Sequence, residues 1–92
     1  MTEPTVRRFR RRPIEVQAVQ VQGDDTGDLA RAIAAWCRGS LSGTYRQPKV
    51  LLDEGAAHVG DWIVREPAAW GHTHRIVREP DMREQHEEID PT

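Results

Sequence analysis

The chain has 92 residues, a net charge of −2 and a mean hydropathy of −0.72, with hydrophobic residues at 37% and aromatics at 5%. That length bounds a single small domain, which hides only about 60–65% of the surface its unfolded form exposes. No run approaches 18 apolar residues, which excludes a membrane-spanning helix, and the first residues lack the apolar stretch of a secretory signal. The lone Cys37 excludes an intrachain disulfide and fits a reducing compartment.

The charge is unevenly spread. Residues 1–13 hold Arg7, Arg8, Arg10, Arg11 and Arg12 against one acid, Glu3, whereas residues 79–92 hold Glu79, Asp81, Glu84, Glu87, Glu88 and Asp90 against Arg83. We read residues 1–12 as a basic, partly disordered arm and residues 13–90 as one domain. The end of the arm can join a sheet, because Val6, Arg8 and Arg10 alternate with Arg7 and Phe9. Clustered arginines displace counterions from phosphate, so this arm offers a nucleic-acid contact. Against it stand the negative total charge and the lack of any ring nearby except Phe9. The plainer reading is a solubilising terminus that leans on the acidic tail.

Beyond Pro13, residues 14–22 predict a strand. Ile14, Val16 and Ala18 alternate with Glu15 and Gln17, and then the phase slips to Val19 and Val21. Either a bulge near Ala18–Val19 absorbs the shift or both faces are covered there. Residues 23–28 predict a turn running into a helix, with Asp25 or Thr26 as cap. Leu29, Ile33, Trp36 and Cys37 form one apolar stripe on that helix, and Gly39 is placed to end it in a left-handed cap. Residues 39–48 predict a mobile loop. Lys49 to Leu52 predicts a short strand, Ala56 to Val59 a weak return strand, and Trp62-Ile63-Val64 a central strand covered on both faces.

A connection is expected from Pro67 to Gly71. A strand from His72 to Val77 follows, with His72, His74 and Ile76 on one face and Thr73, Arg75 and Val77 on the other. Pro80 can then open a short helix with Met82, His86 and Ile89 on one side. Ile63-Val64-Arg65-Glu66-Pro67 recurs as Ile76-Val77-Arg78-Glu79-Pro80, which reads as two neighbouring strands that both end at a proline. The fold class is therefore α+β: one amphipathic helix packed on a small antiparallel or mixed sheet of four to five short strands.

Few residues suggest chemistry. His72-x-His74, with His58, His86 and Cys37 as further candidates, lacks the spacing of a zinc site, and a solvent-facing strand explains the pair. Cys37 lies on the apolar stripe and reads as a small buried hydrophobe, not as a nucleophile. The Asp24, Asp25 and Asp28 group, and Asp53 with Glu54, lack the calcium-loop pattern and suit turns and caps. Trp70, at a predicted loop tip, either anchors an interface or folds back as a lid over the sheet end.

Two segments resemble a known family when taken together. Pro13-Ile14-Glu15-Val16-Gln17-Ala18-Val19-Gln20 is similar to a K-P-x-x-V-E-A-x-Q opening, and Val59-Gly60-Asp61-Trp62-Ile63-Val64 is similar to a P-G-D-W-I-I motif. This pair, separated by a helix, resembles the PGDYG-type proteins of tailed phages and prophages, over roughly residues 10–90. Val59 stands where the family has proline, and Pro80-Asp81 is followed by Met82 and Arg83 in place of an aromatic pair. The resemblance implies a phage product working in the host bacterial cytoplasm and no known activity.

The expectation is a non-enzymatic phage accessory protein, with no cofactor, metal or membrane insertion. It would bind a host bacterial protein through Trp70, Arg65, His72 and Arg75 to alter host growth, defence or superinfection. The alternatives are a nucleic-acid-binding regulator using Arg7, Arg8, Arg10, Arg11 and Arg12, and a protein that sequesters a small molecule or nucleotide in a pocket formed between subunits, a dimer-interface cleft lined by arginine and tryptophan. Homodimerisation is left open.

Overall fold

A computed structural model describes residues 2–11, 14–69, 71–85 and 87–88. The chain runs β1 (Arg7–Arg11), β2 (Ile14–Gln20), α1 (Asp28–Cys37), β3 (Ser40–Gly43), β4 (Pro48–Leu52), β5 (Gly55–Ala57), β6 (Trp62–Ala68), β7 (Gly71–Val77), α2 (Glu79–Gln85) and β8 (Glu87–Glu88). This is an α+β fold, with its strands divided between two antiparallel sheets. The larger has the order β7-β6-β2-β1-β8 and the smaller β3-β4-β5.

The phase slip in β2 has a simple cause. The ladder runs without a bulge from Gln17 opposite Arg65 to Gln20 opposite Trp62, so the slip reflects two covered faces. Val16 and Ala18 face a core shared with Phe9, Trp62, Val64, Val77 and Met82, the last supplied by α2. Val19 and Val21 face a second core with Ile33 and Cys37 of α1, Val50 and Ala57 of the smaller sheet, and Ile63. Apolar residues on both sides of a strand are what a sandwiched sheet requires. Trp62, Ile63 and Val64 confirm β6 as an interior strand covered on both faces: all three are fully buried, and they alternate between the two cores.

The end of the basic arm joins the sheet, as its alternation allows. Arg7–Arg11 is a strand of the main sheet, paired to β2 with Phe9 opposite Val16, and Phe9 is fully buried. β8 lies on its other side, with Arg10 opposite Glu87 and Phe9 opposite Glu88. The acidic tail thus meets the arginines through backbone pairing. Arg12 and Pro13 lie outside the described residues.

Helix α1 carries the expected stripe, with Ala30, Ile33, Ala34 and Cys37 buried. Its ends differ in part from expectation. The capping carboxylate is Asp24, not Asp25: it accepts from the backbone N–H of Leu29, Gly27 and Thr26, while the Thr26 hydroxyl, as expected, accepts from the N–H of Asp28 at the start of the helix. The bonds to Asp24 hold its carboxyl below the usual carboxylate range. At the other end Arg38, not Gly39, takes the left-handed conformation, at φ 58° and ψ 35°. Gly39 is needed for closeness instead: a Cβ there would sit 2.9 Å from the Leu51 carbonyl oxygen and from a Val50 methyl.

The predicted loop at 39–48 contains β3, which pairs with β4 from Ser40 opposite Leu51 to Gly43 opposite Pro48. Pro67 does not end its strand. β6 continues to Ala68, opposite Gly71, so β6 and β7 form a hairpin. The two copies of the repeat are neighbouring strands, with Ile63 opposite Ile76. In the Gly-Asp motif Gly60 has φ 97°, and the buried Asp61 accepts from the upstream N–H of His58 at 3.0 Å and meets the Arg78 guanidinium at 3.3 Å.

Helix α2 is held by one carboxylate. Glu79 accepts from the Trp62 indole N–H, from Gln20 Nε2 at 3.1 Å and from Arg83 Nε at 2.9 Å. The Trp62 bond, then the Arg83 bond, lower its carboxyl below the ordinary value. A depressed folded-state value stabilises the fold above the unfolded carboxylate range and loses that contribution as pH falls below roughly 4. Glu79→Gln should therefore be less stable than the parent at pH 7, with a shallower loss of stability between pH 5 and 3, as read by urea unfolding across that range.

Candidate functional site

Arg65 is the starting point. It shares its face of β6 with the buried Ile63, so it projects toward the α1 side of the sheet. Its guanidinium stacks on the Trp36 ring, 4.1 Å from the centroid. It donates to the Trp36 carbonyl oxygen at 2.5 Å, to His74 Nε2 at 3.2 Å and to Gln17 Oε1 at 3.4 Å. The first of these bonds satisfies an orphan carbonyl at the helix C-terminus, where no basic residue of α1 is available. All of these partners are neutral. Among the described residues Arg65 has no ion-pair partner, so a half-buried cation lacks a counter-charge.

His74 closes the group. Its ring meets Trp36 edge-on at 5.6 Å. Burial, and then the charge of Arg65, lower its pKa, which keeps the imidazole neutral and able to accept from Arg65 through Nε2. The other ring nitrogen then carries the proton and is a donor.

These side chains line a cleft of about 790 Å³ between the end of α1, β4 and the β6–β7 hairpin. Arg38 and His72 also line it, both exposed. Asp53 is the one carboxylate among the described lining residues. Two arginines against one acid, with the neutral His74 imidazole beside them, make a site for an anion. A second hollow, of about 670 Å³, lies between residues 2–6 and the outer face of α1. It holds no unbalanced cation, because Arg31 already pairs with Asp28.

The predicted interaction residues do not form one surface. Arg65 and His72 share the cleft. Arg75 lies opposite Val64, on the other face of the sheet, and pairs with Glu66 at 2.8 Å. Alternation along β7 separates it from His72 and His74. Trp70 lies outside the described residues. The nucleic-acid candidates are also altered: the Arg7 guanidinium sits 5.3 Å from the Trp62 ring and 5.9 Å from Phe9. Arg8 is an exposed residue of β1, and Arg10 and Arg11 belong to the same paired strand.

Among the described residues no three His, Cys, Asp or Glu side chains converge to hold a metal ion, and no helix is long and apolar enough to cross a membrane. Cys37 is buried, and burial pushes its thiol up, so it stays protonated.

Sequence reasoning missed Arg38 and gave Trp36 only a core role. One signal was available for the cleft: Arg65 falls in phase with Ile63, a cation where the buried face of a central strand continues. Comparison with known proteins returns no match: no family model fits the chain, and no curated protein or solved structure aligns with it significantly.

Proposed function

We propose that the chain is a non-enzymatic phage accessory protein that acts in the host bacterial cytoplasm by sequestering a small anionic molecule. The observation that carries this reading is the uncompensated Arg65 on Trp36 at the wall of a cationic cleft. An anion there gains a charge-assisted contact with a cation that folding has already partly dehydrated. The cleft volume falls within the span of small-molecule sites, roughly 300–1,000 Å³. The phage setting rests on the resemblance of the two motifs at 13–20 and 59–64.

A second reading, capture of a host protein, is favoured by the hairpin tip, where Pro67, Ala68, Ala69, Gly71 and His72 are all exposed. A thermal-shift panel of phosphate, citrate, nucleotides and dicarboxylates separates the two. Sequestration expects at least one anion at 100 times its Kd to raise the melting temperature by about 10 °C or more. It also expects that rise to shrink in Arg38→Gly. No shift with any anion, together with a host effect that survives Arg38→Gly but disappears in Trp70→Ala, would replace it with the protein-capture reading.

A further inference from the structure

We infer that the anion is a free nucleoside phosphate, with its base against the Arg65–Trp36 stack and its phosphate at Arg38. This rests on the sequestration reading and narrows it. The cleft combines two kinds of group that a simple anion would not need. One is a planar guanidinium already stacked on an indole at 4.1 Å, with a neutral imidazole beside it that is both held by Arg65 and edge-on to the same indole. Arginine planes and aromatic rings are the surfaces on which unpaired bases stack. The other is an exposed arginine at the helix end, Arg38, whose backbone N–H closes the last turn of α1 and whose guanidinium has no hydrogen-bond or ion-pair partner among the described residues. It lines the same cleft as the hydroxyl-bearing Ser40 and Thr73. Arginine with hydroxyl donors is a phosphate-binding set.

The same features favour a mononucleotide over a polynucleotide. The chain carries a net charge of −2, and its arginine-rich strand is flanked by the acidic β8. Among the described residues lining the cleft, Arg38 and Arg65 are the only arginines, whereas a polynucleotide needs a continuous basic track.

Titration calorimetry on the full chain, with AMP, GMP, CMP, UMP, ribose 5-phosphate, inorganic phosphate and a short single-stranded oligonucleotide, tests this. At least one mononucleotide should bind about tenfold or more tighter than inorganic phosphate and ribose 5-phosphate, the increment a stacked base supplies. Arg65→Lys keeps the charge and removes the plane, so it should erase that margin and leave phosphate binding within about threefold. Arg38→Gly should weaken nucleotide and phosphate alike. Glycine favours the left-handed conformation that Arg38 adopts, so this variant keeps the fold. Equal affinity for phosphate and nucleotides overturns the base contact and leaves an anion site. Tighter binding of the oligonucleotide than of any mononucleotide overturns the free-nucleotide inference. No binding by any of these probes ends the inference, and the thermal-shift panel then decides whether another anion keeps the sequestration reading.

Discussion

Trp62→Ala should abolish most of the folding stability, at a cost of about 3–5 kcal/mol. A domain of this length has a total of only about 5–10 kcal/mol to lose. Trp62 is fully buried on β6, an interior strand of the larger sheet. Its ring takes the edge of Phe9 at 5.3 Å and 76°, and the guanidiniums of Arg7 and Arg83 lie 5.3 and 5.4 Å from its centroid. Its indole N–H is one of the donors that fix Glu79, and with it α2. Alanine removes the packing, leaves a cavity in the core shared with Phe9, Val16 and Met82, and weakens the tie to the helix. Trp62→Phe keeps most of the packing and loses the donor, at about 1–2 kcal/mol. Urea unfolding followed by far-UV circular dichroism ranks the three proteins. An alanine variant within about 1 kcal/mol of the parent would remove β6 from the centre of the fold.

The elements that sequence reasoning found are those whose signal is local. The α1 stripe repeats within ten residues, and Trp62-Ile63-Val64 is a continuous apolar run. What it could not see depends on distant partners. Ser40 to Gly43 has the composition of a loop, and becomes strand because β4 pairs with it and the preceding Gly39 packs against Leu51 and Val50. The division into two sheets follows from β2 pairing with β6, more than forty residues away, while β3, β4 and β5 pair among themselves. Val19 and Val21 announced a second covered face, but no local feature separates that from a bulge. The cleft is less legible still. Arg38, Arg65, His72 and His74 come from three elements and meet through the fold, and alternation in β7 that brings two of them in sends Arg75 out.

Deleting residues 2–11 should abolish cooperative unfolding altogether, although a disordered arm could be removed at no cost. The reason is Phe9. It is the one apolar residue of β1, hidden in sequence among arginines, and it is fully buried against Trp62 and opposite Val16. Removing β1 takes that ring from the core, bares Val16 and Ala18, and leaves β2 as an unpaired edge with an apolar face, a template for aggregation. Phe9→Ala isolates the packing part of the loss, at about 3–5 kcal/mol, whereas Arg8→Ala at the exposed neighbouring position costs under about 1 kcal/mol. Size-exclusion chromatography and thermal unfolding of the three proteins decide the matter. A truncated chain that elutes as a monomer and melts within a few degrees of the parent would return the arginines to a dispensable arm.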